Sequence, residues 1–232
     1  MATQTHIKQP GELEFERELN AIHLLKHPFY QAWSAGKLSF GDLQTYACQY
    51  YHHVEAFPRY VSATHSHCQL PSARQVLLDN LNDEEGTHTG VSHSALWMQF
   101  AKGLGLSEKT VKESKPLPQT CQLIDDFLSL SRSSYAEGIG ALYAYERQIP
   151  QTASSKISGL KQLYNIDNQA TLEFFLVHLE ADVEHAEATK TLLQALPVNE
   201  KPKAEKAAKK IAQSVWNLLT GIHSQASVSS VC

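Results

Sequence analysis

Three side chains that commonly bind metals, His178, Asp182 and His185, are spaced at helical intervals along one stretch of the chain. The surrounding run, 171–196, has no proline or glycine and is rich in Leu, Ala and Glu, so it is predicted to be helical. At about 100° per residue, Asp182 lies about 40° from His178, and His185 about 20° away on the other side. The three share a narrow stripe with Phe174, and this stripe is expected to face the core. Burying them is costly unless they are paired, and a metal ion is one suitable partner.

Three other polar side chains also fall on faces that should point inward. Glu146 lies on the apolar face of the predicted helix 134–149, and Glu84 lies on the apolar face of the predicted helix 71–85. His93 is the first residue on the apolar face of the next predicted helix. A mixed set of carboxylates and imidazoles suits iron or manganese better than it suits a thiolate-seeking metal. Helical bundles build dinuclear centres from inward Glu and His side chains in this way. The candidate metal ligands are Glu84, His93, Glu146, His178, Asp182 and His185.

The simpler explanation for any one of these residues is a buried side chain that hydrogen bonds to its neighbours. For His93 or Glu84 alone, a hydrogen-bonded core side chain is the more common case. Three polar groups on one buried stripe are harder to supply with hydrogen-bond partners from one another. His88, four residues after Glu84, competes with His93 as a ligand, because Gly86 and Gly90 interrupt the helical pattern there.

Composition and charge exclude several classes of function. The 232 residues are 42% hydrophobic and 19% charged, which is ordinary for a soluble globular protein. A net charge of −4 argues against a nucleic-acid or membrane-surface partner. The chain has no apolar run of bilayer length and no signal-peptide core, so a cytoplasmic location is expected. The four cysteines form no CxxC pair, and none lies beside a recognisable base in the sequence, which disfavours a structural zinc site or a cysteine nucleophile.

Helical periodicity runs through most of the chain, and no alternating strand pattern of any length occurs. The sequence therefore predicts a single all-α domain of seven or more helices over residues 12–222. It also predicts a flexible N-terminus, 1–11, and a flexible tail, 223–232. The last helix is predicted to run from Glu200 to Ile222.

Capping residues and prolines suggest several helix boundaries. Ser39 is a suitable N-cap for a long helix to about Cys68, and Ser92 for a helix through Lys102. Pro150 is predicted to end the helix that carries Glu146, because proline lacks a backbone donor.

Longer motifs occur in the order found in a known family. They include His27-Pro-Phe-Tyr30, Ala56-Phe-Pro-Arg-Tyr60, Asn80-Leu-Asn-Asp-Glu84, Ala141-Leu-Tyr-Ala-Tyr145-Glu146 and Glu180-Ala-Asp182-Val-Glu-His185. From about residue 20 to 220 the chain resembles the TenA/PqqC superfamily, and most closely its chlamydial branch that forms p-aminobenzoate.

This resemblance implies a haem-oxygenase-like helical bundle, usually a homodimer, with a dinuclear non-haem metal centre of two irons or of manganese and iron. It implies the formation of p-aminobenzoate for folate from a tyrosine of the protein itself, using dioxygen and an external reductant. Position by position, it implies the same six metal ligands. It further implies Tyr30 as the consumed tyrosine, Tyr46 and Tyr145 near it, and Lys156 as the amino donor.

Three alternatives stay open. A TenA-type thiaminase or aminopyrimidine hydrolase uses a cysteine on the helix that carries Glu146, where this chain has Gly140 and no cysteine. A PqqC-like oxidase shares the fold, but its pocket is not built around six metal ligands. A protein-interaction module of the kind that binds death domains would need no stoichiometric metal.

Overall fold

The structure, a computed structural model, describes residues 10–88 and 90–229, with the side chains of 10–13, 180–183 and 226–229 excepted. Every regular element in these ranges is a helix, so the predicted all-α class is confirmed. The elements are α1 (Pro10–Ala21), a 3₁₀ helix (Leu24–Lys26), α2 (Pro28–Ser34), α3 (Phe40–His67), α4 (Pro71–Glu85), α5 (His93–Gly103), α6 (Glu108–Lys112), α7 (Pro118–Ser133), α8 (Tyr135–Glu146), α9 (Ile149–Leu163), α10 (Gln169–Gln194) and α11 (Lys201–Ser229).

Helix α3 runs through the centre of the bundle and contacts α4, α5, α7, α8 and α11. It begins where the sequence predicts, because Ser39 forms a capping box with Asp42: the Ser39 hydroxyl accepts from the Asp42 N–H, and the Asp42 carboxylate accepts from the Ser39 N–H. Its buried face is strongly aromatic and includes Tyr46, Tyr50 and Tyr60. The centre of the fold is therefore lined with phenol rings.

Helix α8 lies unusually close to its neighbours. A Cβ at Gly138 would meet the Thr64 hydroxyl at 2.4 Å, and a Cβ at Gly140 would meet the Ala204 carbonyl oxygen at 2.1 Å. Only glycine permits these approaches of α8 to α3 and α11. They place Glu146, at the end of α8, inside the bundle.

The turn between α4 and α5 brings Glu84 close to His93. Gly86 ends α4 in the left-handed region, with a φ of 72°. A side chain there would also collide with the backbone of Val91, since a Cβ would lie 2.3 Å from its carbonyl carbon. Ser92 caps α5, as predicted. The end of α4 and the start of α5 are thus held side by side.

Two helix boundaries differ from the prediction. Helix α8 ends at Glu146, and Pro150 lies in the first turn of α9. Proline is tolerated there because backbone N–H groups in the first turn have no hydrogen-bond partner within the helix. The last helix continues past Ile222 to Ser229, since no proline or glycine follows Ile222 in that stretch. The predicted flexible ends fall partly on residues 1–9 and 230–232, which lie outside the described residues.

None of the described helices is both long and apolar enough to cross a lipid bilayer.

Candidate metal centre and tyrosine cluster

Glu84, His93 and His178 bring one carboxylate and two imidazoles together in the core. One donor atom from each lies within 4.8 Å of the others. The Nδ1 atom of His93 is 2.9 Å from Oε2 of Glu84. The three residues are only 2–7% exposed. Three of the six predicted ligands, from α4, α5 and α10, therefore meet in space.

The ring of His178 has a defined proton position. Its Nδ1 lies 2.6 Å from the carbonyl oxygen of Phe174, one turn earlier in α10. Because a carbonyl oxygen can only accept, Nδ1 carries the proton and Nε2 keeps its lone pair. Burial first, and the charge of His93 second, lower the pKa of His178 well below its usual 6.5. A neutral imidazole oriented by a backbone carbonyl is the form that binds a metal.

Glu146 approaches the same place from α8. Its Oε1 accepts a hydrogen bond from Nδ2 of Asn80 at 2.7 Å. Glu146, Glu84 and His178 line one cavity, together with Tyr145. The free volume of this cavity is about 10 Å³, roughly what one water molecule needs. The enclosed space is therefore about the size of one ion or one water molecule.

The remaining predicted ligands are placed differently. His185 is not among the three clustered donors, and its Nε2 lies 3.1 Å from Oδ2 of Asp83. The side chain of Asp182 lies outside the described residues. His88 is on the surface, with 54% of its side chain exposed, and it pairs with Oδ1 of Asp83, whereas His93 is buried in the core. This placement favours His93 over His88, and the ligand roles of all six residues stay predictions.

The donor set fits a metal ion. Glu84 and Glu146 offer carboxylates and His178 an imidazole to one small cavity. The buried His93 imidazole lies against Glu84. Buried carboxylates are costly without compensating positive charge, which a bound cation provides. Mixed oxygen and nitrogen donors without thiolate suit iron or manganese.

A second group of predicted residues surrounds Lys156, which is only 3% exposed. Its Nζ lies 5.6 Å from the ring centroid of Tyr30 and 5.5 Å from that of Tyr46. The rings of Tyr50 and Phe175 are at 5.3 and 5.2 Å. The amine is thus enclosed by four aromatic rings, an arrangement that stabilises a cation. Burial raises the pKa values of Tyr30 and Tyr46 well above 10, so both phenols are neutral.

A hydrogen bond connects the two groups. The hydroxyls of Tyr50 and Tyr145 are 2.8 Å apart in the core. Tyr145 lines the cavity of the predicted ligands, and the ring of Tyr50 lies 5.1 Å from that of Tyr46. Tyr50 is not among the site residues predicted from the sequence. Its four-residue spacing from Tyr46, which puts both on one face of α3, is the signal that points to it.

Comparison with known proteins decides the family. A sequence profile described as iron-containing redox enzyme matches residues 44–217, most of the chain. The chain belongs to the iron-containing redox enzyme family. Membership in this family, together with the clustered Glu84, His93 and His178, supports a metal centre at this site.

Individual relatives agree with this placement in the iron-containing redox enzyme family. The 4-aminobenzoate synthase of Chlamydia muridarum is 39% identical, over 94% of this chain and 94% of that protein. The 4-aminobenzoate synthase of Nitrosomonas europaea is 35% identical, over 100% of this chain and 96% of that protein. A solved domain from Shewanella denitrificans, described as having a heme oxygenase-like fold, superposes with a TM-score of 0.77 at 18% identity, over 97% of each chain. The predicted fold, family and oxidoreductase class are confirmed.

Proposed function

We propose that this chain forms 4-aminobenzoate from the ring of its own Tyr30, with dioxygen and a reductant as co-substrates. The observation that carries the proposal is the position of Lys156, whose buried Nζ lies 5.6 Å from the Tyr30 ring. The two relatives named 4-aminobenzoate synthase, similar over nearly their whole lengths, support the product.

The product and the proposed source share one carbon skeleton. Both 4-aminobenzoate and the tyrosine side chain are benzene rings with two substituents in para positions. The conversion needs a nitrogen in place of the phenol oxygen. It also needs oxidation of the Cβ carbon to the carboxyl group, with dioxygen as the oxidant, and cleavage of the Cα–Cβ bond that joins it to the backbone. Lys156 offers a nitrogen beside the Tyr30 ring, and Phe175 and Tyr46 help to exclude water from it.

The proposed metal centre is held by Glu84, His93, Glu146 and His178. In the proposal Asp182 and His185 complete a dinuclear set of two irons or of manganese and iron. When bound, such a centre supplies the oxidising power of dioxygen. The chain's own residues prepare this site: Phe174 orients His178 through its carbonyl oxygen, and Asn80 orients Glu146.

The position of Tyr30 supports a substrate that is part of the protein. Tyr30 is in the core beside Lys156, with only 1% of its surface exposed. A site that consumes its own tyrosine turns over once per chain. The homodimer and the cytoplasmic location expected from the sequence stay predictions.

No observation favours the thiaminase alternative. Helix α8 contains no cysteine, and the position where such a nucleophile is expected, Gly140, lies against the Ala204 carbonyl oxygen. An interaction module is separated from an oxygenase by elemental analysis of protein reconstituted with Fe(II) and Mn(II). Only trace metal would contradict the oxygenase proposal.

The direct test is mass spectrometry of the intact chain before and after the reconstituted, reduced protein meets dioxygen. We expect a loss of mass that peptide mapping assigns to residue 30, and at most one 4-aminobenzoate per chain. A Tyr51→Phe variant serves as control, because the Tyr51 hydroxyl bonds to Glu55 and not to the Tyr30 group. Product formed in many equivalents, or formed with no change of the chain's mass, would contradict self-consumption.

A further inference from the structure

We infer that Tyr50 is a relay residue, which passes one oxidising equivalent from Tyr145 at the metal cavity to the Tyr30 and Tyr46 pair beside Lys156. The inference rests on the proposed function and adds to it the route by which oxidation reaches Tyr30.

The geometry places Tyr50 between the two groups. Its hydroxyl is 2.8 Å from that of Tyr145, which lines the cavity with Glu84. On its other side, its ring lies 5.1 Å from the Tyr46 ring. Its ring also lies 5.3 Å from Nζ of Lys156, the atom that is 5.6 Å from the Tyr30 ring. Tyr50 is thus in contact with both groups.

The surroundings of Tyr50 suit a side chain that holds a radical for a short time. Tyr50 is 2% exposed, and its ring stacks on Trp97 with centroids 5.0 Å apart. Trp97 is itself fixed, because its indole N–H donates to the Ala47 carbonyl oxygen at 2.8 Å. A rigid, water-excluded position keeps the two hydroxyls aligned and prevents side reactions.

The relay consists of two hydrogen-atom transfers. Once a one-electron oxidant derived from dioxygen has taken an electron and a proton from Tyr145, the Tyr145 oxygen takes one electron and one proton from the Tyr50 hydroxyl. Tyr145 becomes a phenol again, and Tyr50 becomes a neutral phenoxyl radical. Tyr50 then recovers one electron and one proton from the Tyr30 and Tyr46 pair. No charge is left in the core, because the proton moves with the electron at each transfer.

The chain provides a matched control at the next position. Tyr51 is also on α3 and is also buried, with 4% exposure. Its hydroxyl bonds to Glu55 at 3.1 Å, on a different side of the helix from Tyr145. Tyr51→Phe therefore removes one buried hydroxyl from the same helix without touching the relay.

The test compares wild type, Tyr50→Phe and Tyr51→Phe after reconstitution with Fe(II) and Mn(II), reduction and exposure to dioxygen. Four quantities are measured: metal content, 4-aminobenzoate, the residue that is modified, and the electron paramagnetic resonance signal of phenoxyl radicals. In Tyr50→Phe we expect wild-type metal content and a fall in 4-aminobenzoate of about a hundredfold or more, the effect of removing a positioned proton-transfer group. We also expect a longer-lived radical and oxidative modification at Tyr145 in place of loss of Tyr30, which a purely structural role would not cause.

Each outcome of this comparison has a definite meaning. If Tyr50→Phe yields as much 4-aminobenzoate as Tyr51→Phe, the relay is wrong while the proposed function stands. A low yield in which oxidation has not moved to Tyr145 also overturns the relay. If wild type itself forms no 4-aminobenzoate and keeps Tyr30 intact, the proposed function fails first.

A second variant covers the case in which Tyr50→Phe does not fold. Incorporation of 3,5-difluorotyrosine at position 50 keeps the ring and the hydroxyl but makes the phenol more acidic and changes its oxidation potential. We expect the yield of 4-aminobenzoate and the radical lifetime to acquire a pH dependence that wild type lacks. A pH profile identical to that of wild type would overturn the relay.

Discussion

The carbonyl oxygen of Phe174 lies 2.6 Å from Nδ1 of His178 and thereby decides which nitrogen of that ring is available as a ligand. Both residues belong to α10, one helical turn apart, so the orientation is fixed by the helix itself. The Phe174 ring also packs on the imidazole, with centroids 4.0 Å apart. His178 is thus prepared to act as a neutral Nε2 donor before any metal binds.

Removing His178 or His93 should weaken metal binding strongly. Loss of residues that only orient a ligand typically costs 10–100-fold in affinity, so His178→Ala and His93→Ala are expected to cost about 100-fold or more. Anaerobic titration of the metal-free protein with Fe(II) or Mn(II) measures the effect. His88→Ala is the matched control, since His88 is exposed and pairs only with Asp83 among the described contacts. Equal losses in His88→Ala and His93→Ala would contradict the assignment of His93.

Asp182→Ala should also lose metal, because Asp182 is predicted to complete the ligand set with His178 and His185. Because the helical stripe predicts that this carboxylate faces the core, its removal is expected to offset part of the stability that the lost ligand bond contributed. Elemental analysis and urea unfolding of the same preparation measure the two effects separately. Retained metal would remove Asp182 from the ligand set.

Tyr30→Phe should abolish 4-aminobenzoate formation while metal binding stays intact. The phenol is the group proposed to be consumed, and Tyr30 is not among the residues that line the metal cavity. Product analysis and metal content measure the two effects. Full activity in this variant would show that the ring comes from elsewhere, and Tyr51→Phe controls for loss of a buried hydroxyl.

Lys156→Arg should lose product for a different reason. Arginine keeps a positive charge within the cage of Tyr30, Tyr46, Tyr50 and Phe175 but cannot give up an amine nitrogen as lysine can. Protein grown with ¹⁵N-labelled lysine gives the direct readout, because the label should appear in 4-aminobenzoate. Unlabelled product from fully labelled protein, or an unchanged yield from Lys156→Arg, would exclude Lys156 as the donor.

The stability of the metal-free protein should fall as the pH drops below 6.5, in part because of His53. Burial lowers the pKa of His53 to about 3, whereas an unfolded histidine titrates near 6.5. Below pH 6.5 the unfolded state binds a proton that the folded state does not, so stability is complete above pH 6.5 and is lost toward pH 3. Between pH 6.5 and 5 this single group accounts for about 2 kcal/mol. Urea unfolding at both pH values measures it.

His53→Phe isolates this contribution. The variant should lose that part of the pH dependence, and it should not be destabilised at pH 7, because neither ring nitrogen of His53 has a hydrogen-bond partner within the described structure. The same change at His67, exposed at the end of α3, is the control and should leave the slope unchanged. A wild-type slope in His53→Phe would show that other groups dominate.

Gly140→Ala should destabilise the fold by about 1–3 kcal/mol, the usual range for overpacking a tight interface. The added Cβ would meet the Ala204 carbonyl oxygen at 2.1 Å, where neither backbone can easily move. Gly41→Ala is the control, since the nearest atom to a Cβ there is the Ser39 hydroxyl oxygen at 3.7 Å. Equal unfolding midpoints for the two variants would contradict the close approach of α8 to α11.

The sequence by itself determined the helical class and most of the helix starts, because these depend on local chemistry. Ser39 and Ser92 begin helices through hydrogen bonds within four residues, and Gly86 ends one through its own backbone conformation. Periodicity likewise identified Glu84 and His178 as inward polar groups, since the faces of a helix follow from residue spacing alone.

Only the tertiary structure decided which of these groups meet. Glu84 and His93 come together because the Gly86 turn folds α5 back beside α4. In the same way, Tyr50 and Tyr145 are 95 positions apart in the chain, and their hydrogen bond exists because α8 packs closely against α3. Spacing within one helix cannot reveal a contact between two helices, since that contact depends on how they pack. For this reason helical faces could suggest candidate metal ligands, whereas the contact between Tyr145 and Tyr50 could not be predicted from the sequence.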